Sequence, residues 1–376
     1  MPNPTFQRYS RLLSAAVIMS QMLPAFAQSR NGAGGGAGSP VARPAKAQSI
    51  ADGILMPAIE EKKLVGLSVG VVCGGRTLVN KGYGVTSRES QTPPDENTQF
   101  YIESLSKAIT AVGAMTLVDE GKLKLEAPVG RYLKDVPKSW QSITIAQFMS
   151  HSSGIPDMAQ KGPAEEAPTF EDMLQRAANE PLSFTPGSRQ QYNNFNFAVI
   201  GKVIEAISGM SYIDFMKQRV FEPLHMDHSG AHLQSSNEAI PYNAKGRPIT
   251  HRILSDYGIP SGHLQSTVSD LLKLHAALED GSLLKPAGLS TMINRVSPGR
   301  TATPGWFEQS NQGVSVVSKN GGGGGFHSIF SFVPGQGDAV IMLWTSSKAA
   351  DNDLFQETAQ LLSSVCGVPA KGAVSE

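Results

Sequence analysis

Strand-like runs stand only near the two ends of this 376-residue chain, and most of what lies between them is patterned as helix. Residues 67–73 and 76–83 read as strands around Gly74-Gly75, a two-residue hairpin signal. Runs of comparable quality return only at 314–319, 326–333 and 339–344. Residues 49–63 read as an amphipathic helix with Ile50, Ile54, Leu55, Ala58 and Ile59 inward, and 352–365 as a closing helix. In the middle, Thr144 precedes a short helix that ends near His151-Ser152-Ser153-Gly154. Thr169-x-x-Asp172, Ser211-x-x-Asp214 and Thr267-x-x-Asp270 are capping boxes before apolar runs. Gly209 and Gly281 sit where helices should stop. The expected architecture is α+β. A five-stranded antiparallel sheet is flanked by the first and last helices, with an all-helical lobe inserted between its two parts. The boundaries are one domain over 48–366, with an α/β lobe from 48–100 and 300–366, a helical lobe from 101–299, and a tail over 367–376.

Arg8 and Arg11, the mostly apolar stretch 12–23 and Ala25-Phe26-Ala27 have the three-part form of a secretory signal peptide over 1–27, cut after Ala27. Residues 28–47, rich in Gly, Ala, Ser and Pro, read as a flexible linker. The expected location is therefore periplasmic or secreted, with no stable membrane span. Without Arg8 and Arg11 the chain carries 30 basic against 32 acidic residues, which gives no electrostatic footprint for nucleic acid. Its two cysteines, Cys73 and Cys366, would pair in an oxidising compartment; two buried thiols are the alternative.

Ser104 and Lys107 lie three residues apart at the start of a helical run, so they share one helix face. An amine within reach of a hydroxyl can help take its proton, and a first-turn backbone N–H faces any oxyanion that forms there. Alone, this spacing also fits an exposed helix start with a solvated lysine. Tyr192-Asn193-Asn194, on a loop before another helix, offers a phenol for proton transfer and an amide to fix a lysine or a carbonyl. Lys319-Asn320-Gly321 ends a strand and opens a run of five glycines, 321–325, which implies close backbone approach by a ligand or neighbouring chain. No helix N-terminus follows, so this is no phosphate loop. His225, Asp227, His228 and His232 lie close enough in sequence to raise zinc binding. The helix-end sequence Glu222-Pro223-Leu224 and the lack of ligands from other segments argue against it.

The order Ser-x-x-Lys, Tyr-x-Asn, Lys-x-Gly resembles the serine β-lactamase and penicillin-binding-protein superfamily, most closely its class C β-lactamase-like branch, which includes D-peptidases and esterases. Phe148-Met149-Ser150-His151-Ser152-Ser153-Gly154-Ile155-Pro156 is similar to that family's Leu-Leu-x-His-Thr-Ser-Gly-Leu-Pro segment. Phe221-Glu222-Pro223-Leu224-His225-Met226 is similar to its Phe-x-Pro-Leu-Gly-Met, with His225 in place of glycine. The resemblance implies a β-lactamase/transpeptidase-like fold and an acyl-enzyme hydrolase needing no cofactor and no metal. It makes Ser104 the nucleophile, gives proton transfer to Lys107 and Tyr192 with the base left open, and has Asn194 orient Lys107. It also places positive potential at Lys319, substrate contacts at Asn320 and Gly321, and an oxyanion hole at the N–H groups of Ser104 and Gly322. A β-lactam, a D-amino peptide derived from peptidoglycan or a short acyl ester are all open as substrates. A catalytically silent homologue that binds peptidoglycan or a protein partner is the alternative. Two departures bear on substrate: Asn320 stands where Thr or Ser is usual, and Glu103 where a small residue usually precedes the serine.

Overall fold

A computed structural model of the chain describes residues 42–62, 64–157, 168–243, 245–249, 255–294, 302–311, 313–346 and 354–369. The expected signal peptide and most of the expected linker lie outside these residues. The helices are α1 (Ala42–Lys62), α2 (Ser106–Asp119), α3 (Ile145–Met149), α4 (Phe170–Ala178), α5 (Phe195–Ser208), α6 (Tyr212–Met216), α7 (Val268–Asp280), α8 (Pro286–Ile293) and α9 (Phe355–Cys366). The strands are β1 (Leu64–Cys73), β2 (Arg76–Gly84), β3 (Phe100–Tyr101), β4 (Gln265–Ser266), β5 (Phe307–Asn311), β6 (Val314–Gly323), β7 (Phe326–Val333) and β8 (Asp338–Ser346). Helix α1 begins inside the stretch read as linker.

The two ends of the chain meet in one antiparallel sheet of order β2-β1-β8-β7-β6-β5, in which β1 pairs β8 with Val69 opposite Met342 and Val71 opposite Val340. The sheet has six strands, not five. The sixth, β5, is Phe307-Glu308-Gln309-Ser310-Asn311, an edge strand whose polar residues show no apolar alternation. Strand β6 runs on through Gly323, so Gly321, Gly322 and Gly323 lie within the strand rather than after it.

Both faces of the sheet are covered, and its period of two sorts side chains between two cores. Along β8, Ala339, Ile341 and Leu343 face the helical lobe, while Val340, Met342 and Trp344 face α1 and α9. Helix α1 buries Ala47, Ala51, Leu55 and Ala58, and Ile54 and Ile59 pack at the margin. The alanine stripe displaces Ile50 from the expected inner face. Helix α2 is buried from Ser106 to Leu117, so it is the axis of the helical lobe. Thr169, Ser211 and Thr267 each accept from the N–H three residues on, with the reciprocal bond of a full capping box formed at Thr169, whose N–H donates to Asp172, and Gly209 and Gly281 close their helices in the left-handed conformation. No helix among the described residues is long and apolar enough to cross a membrane.

Cys73, at the end of β1, is bonded to Cys366, the last residue of α9. The bond closes a loop across nearly the whole domain, with a sequence separation of 293. Removing a native disulfide costs about 2–5 kcal/mol, so Cys73→Ser should lower the thermal midpoint as reduction does. Thiol titration of the denatured, unreduced protein should find none; two free thiols would contradict the bond.

Two histidines are buried among rings. His275 lies edge-on to Phe330 and Phe332, and His327 stacks on Trp344 at 5.3 Å. Burial pulls each down to about 4 from the ordinary 6.5. Because the folded pKa is depressed, the unfolded chain binds more protons below pH 6.5. Stability is then full above that value and lost as pH falls toward 4, on the order of 3 kcal/mol for each group. Thermal midpoints measured from pH 7.5 down to 4 should fall, and replacing both histidines with glutamine should flatten the decline; an unchanged slope would contradict this.

Candidate active site

The site begins at a sharp turn. Glu103–Leu105 form one 3₁₀ turn that leads directly into α2, so Ser104 precedes the α-helix and Lys107 lies in its first turn. Lys107 is fully buried, which for an ammonium group costs several kcal/mol unless it is paired. Three acceptors face it: Ser104 Oγ at 3.1 Å, Asn194 Oδ1 at 2.7 Å and the Ser261 carbonyl at 2.5 Å. An ammonium has three protons, so three acceptors use all of them.

Each acceptor is delivered by a local device. Asn194 stands at the N-cap of α5 but does not cap it; Asn193 Oδ1 accepts the N–H of Phe195 instead, which leaves the Asn194 side chain to Lys107. Ser261 lies in a π-helical turn, Ile259–His263, pinned to α2 by Thr110 Oγ1, which donates to the Pro260 carbonyl, and by Ser106 Oγ, which accepts from Leu264 N–H. Tyr192 reaches in from its loop, and its hydroxyl donates to Ser104 Oγ at 2.6 Å.

The third wall is β6. Lys319 is 1 % exposed, with its ammonium 5.1 Å from the centre of the Tyr192 ring and 4.6 Å from that of Phe307. The Lys107 ammonium lies 4.8 Å from the same tyrosine ring. These two charges, after burial itself, hold the buried His151 imidazole well below its usual pKa. A methyl group on Gly321 would stand 2.4 Å from the Ile102 carbonyl and 2.7 Å from Ser104 N, so only glycine lets this strand close on the serine turn. Ser328 of β7 donates to the same Ile102 carbonyl at 2.7 Å. Pairing with β5 stops at Ser318, so the backbone of 319–323 has no β5 partner alongside it. Asn320 is half-buried, in register with Ile329 of the α1/α9 core, and by alternation it lies on the other face from Lys319 and Gly321. Gly322 is the next residue along β6, opposite His327.

Ser104, Lys107, Tyr192, Asn194, Lys319 and Gly321 thus come together from α2, a loop, the α5 terminus and β6. Two contributors had no role in the sequence reading. The Ser261 contact is a backbone carbonyl, which has no sequence signature, and Phe307 lies on the strand that was not foreseen. Glu103 has φ +49°, the left-handed region where a glycine is easiest, and its carboxylate packs against Gly323. His225 and His232, raised as zinc ligands, both have positive φ, and His232 pairs with Asp256 at 3.0 Å. Among the described residues, the one three-residue grouping with metal-ligand spacing is Cys73, Asp338 and Cys366, whose two sulfurs are bonded to each other.

The chain is similar in sequence and fold to known proteins. The chain is 24% identical over 310 residues to Protein flp of Staphylococcus aureus (strain COL), covering 78% of this chain and 62% of that protein, and so spans less than two thirds of its length. It is 27% identical over 291 residues to the putative penicillin-binding protein PbpX of Bacillus subtilis (strain 168), covering 73% of this chain and 69% of the other. Among solved structures, the octameric penicillin-binding protein homologue from Pyrococcus abyssi superposes with a TM-score of 0.70 at 25% identity, over 80% of this chain and 74% of that one. The D-alanine carboxypeptidase AmpC from Burkholderia cenocepacia superposes with a TM-score of 0.73 at 19% identity, over 85% and 99%. The family model described as Beta-lactamase matches residues 51–363. It takes in both ends of the sheet and every residue gathered around Ser104, and this chain therefore belongs to the Beta-lactamase family.

Proposed function

We propose that the protein is a serine hydrolase that opens an amide or ester through an acyl-enzyme on Ser104. The observation that carries the reading is the placement of Ser104 Oγ between Lys107 Nζ at 3.1 Å and the Tyr192 hydroxyl at 2.6 Å. In the reaction, Ser104 Oγ bonds to the substrate carbonyl carbon while its proton passes into the Tyr192–Lys107 pair. Lys107 spends its three protons on three acceptors, so the proton goes to Tyr192, which must first have released its own and stand as a phenolate; the Lys107 and Lys319 charges beside its ring stabilise that phenolate, and it takes the Ser104 proton across the 2.6 Å contact. The carbonyl electrons move to oxygen, where the N–H groups of Ser104 and Gly322 receive them; one such donor is worth about 3–4 kcal/mol in acyl-transfer enzymes. The leaving oxygen or nitrogen takes the proton back, and water then releases the acyl group by the same steps.

The substrate reading is a small acyl ester or amide, with β-lactams and D-amino peptides as the competing classes. Lys319 lies buried between two rings, and Asn320, expected as a substrate contact, lies on the face of β6 turned away from Lys319 and Gly321, so an anionic substrate gains less here. A location outside the cytoplasm fits the disulfide, since such bonds persist in oxidising compartments.

Fluorescent fluorophosphonate and fluorescent penicillin should each give a covalent band, and Ser104→Ala should abolish both while its thermal midpoint stays within a few degrees. Lys107→Ala and Tyr192→Phe should each slow acylation by about 10²–10⁴-fold without adding to one another. Labelling of folded Ser104→Ala at the wild-type rate, or the absence of any band from the unaltered protein, would overturn the reading.

Gly321→Ala probes the close approach of β6. Its methyl forces the strand away from Ser104 N, so acylation should fall at least about tenfold in a protein that still folds, whereas Gly53→Ala, on the exposed side of α1 with open space around it, should leave the rate unchanged. Equal rates for the two variants would show that the contact is not needed.

A further inference from the structure

Tyr192 stands on a stretch with no helix or strand of its own, yet its hydroxyl must be held within hydrogen-bond reach of Ser104. The residue that holds this stretch is His151, just past the end of α3. The His151 carbonyl accepts the N–H of Gln191 at 2.8 Å. Its Nδ1 accepts the N–H of Asn193 at 3.2 Å. Between them, its ring stacks on the Tyr192 ring with centres 4.5 Å apart and an interplanar angle of 31°. One buried residue therefore grips the residue before the tyrosine, the tyrosine itself and the residue after it. We propose that His151 is a positioning residue for Tyr192, a neutral clamp that fixes the phenol against Ser104 without exchanging a proton.

Three further features fit a clamp. An N–H pointing at Nδ1 places the imidazole proton on Nε2, which fixes the tautomer. The groups packed around the ring are the uncharged Phe197 and Asn196 of α5 and Tyr192 itself, and the Lys107 and Lys319 ammonium groups, both beside the Tyr192 ring, act on it through their charge; a third positive charge here is disfavoured. His151 also has φ +57°, a left-handed conformation that positions its carbonyl and its ring toward the same loop.

The inference rests on the acyl-enzyme reading of Ser104, and the test separates the two. Single-turnover acylation is measured with an activated acyl ester on the unaltered protein, His151→Asn and His151→Phe. Asparagine tolerates the left-handed backbone and keeps an acceptor but loses the ring; phenylalanine keeps the ring but loses the acceptor. Each should acylate about 10–100-fold more slowly, with KM within about twofold, and the pH–rate profile should keep both of its limbs. In the unaltered protein, the His151 imidazole ¹⁵N signals should report the Nε2–H tautomer without titration from about pH 5 to 9. Wild-type rates in a folded variant, a change confined to KM, a lost acid limb, or titration of His151 in that range would each overturn the clamp and leave the acyl-enzyme reading standing. Failure of the unaltered protein to acylate would overturn both.

Discussion

The structure depends on a lysine ammonium buried away from the surface. Lys107 is tolerable at the centre of the protein only because three acceptors from separate segments converge on it: Ser104 from the turn before α2, Asn194 from the start of α5 and the Ser261 carbonyl from the π-turn before β4. Removing any one of them takes an acceptor from a buried ammonium, at a cost of about 1–3 kcal/mol. The same bonds that satisfy the charge thereby fix the relative placement of the Ser104 turn and two other parts of the helical lobe. Under the proposed acyl-enzyme reading, stability and reactivity are coupled at this point, since the lysine that locks the lobe together also touches the serine hydroxyl.

The sheet contributes the opposite wall. Glycine at 321 lets β6 approach the serine turn to a distance no side chain would permit, and Lys319 two residues earlier brings a second buried charge to the Tyr192 ring. Pairing with β5 ends at Ser318, so at Gly322 the strand paired with β6 is β7 alone, with His327 opposite. The site is thus a junction between lobes, built from a sheet edge on one side and a helix start on the other.

Much of this was legible in the sequence. The i, i+3 spacing of Ser104 and Lys107 placed the pair on one face, and the order of the three short motifs named Tyr192, Asn194 and Lys319. The glycine run correctly announced close backbone approach. What the sequence hid has physical causes. Strand β5 is polar because it is an edge, so it lacks the apolar alternation that marked the other strands. Helix α1 starts among Ala, Arg and Pro residues that continue a linker-like composition. The Ser261 contact is made by a backbone oxygen, which any residue type supplies. Glu103 stands where a small residue is usual in the family and His225 where glycine is, and both have left-handed backbone, φ +49° and +52°. That conformation costs a residue with a Cβ about 1–2 kcal/mol, which a glycine would avoid.

The most direct measurement of the account is the position of the covalent bond itself. Unaltered protein is mixed with an activated acyl ester, quenched in acid within the first turnover, digested and mapped by mass spectrometry. The account predicts one acyl group per chain, carried by the peptide that contains Ser104 and located on that serine. An acyl group on Tyr192, on Lys107 or on any residue outside this site, with Ser104 unmodified, would contradict it.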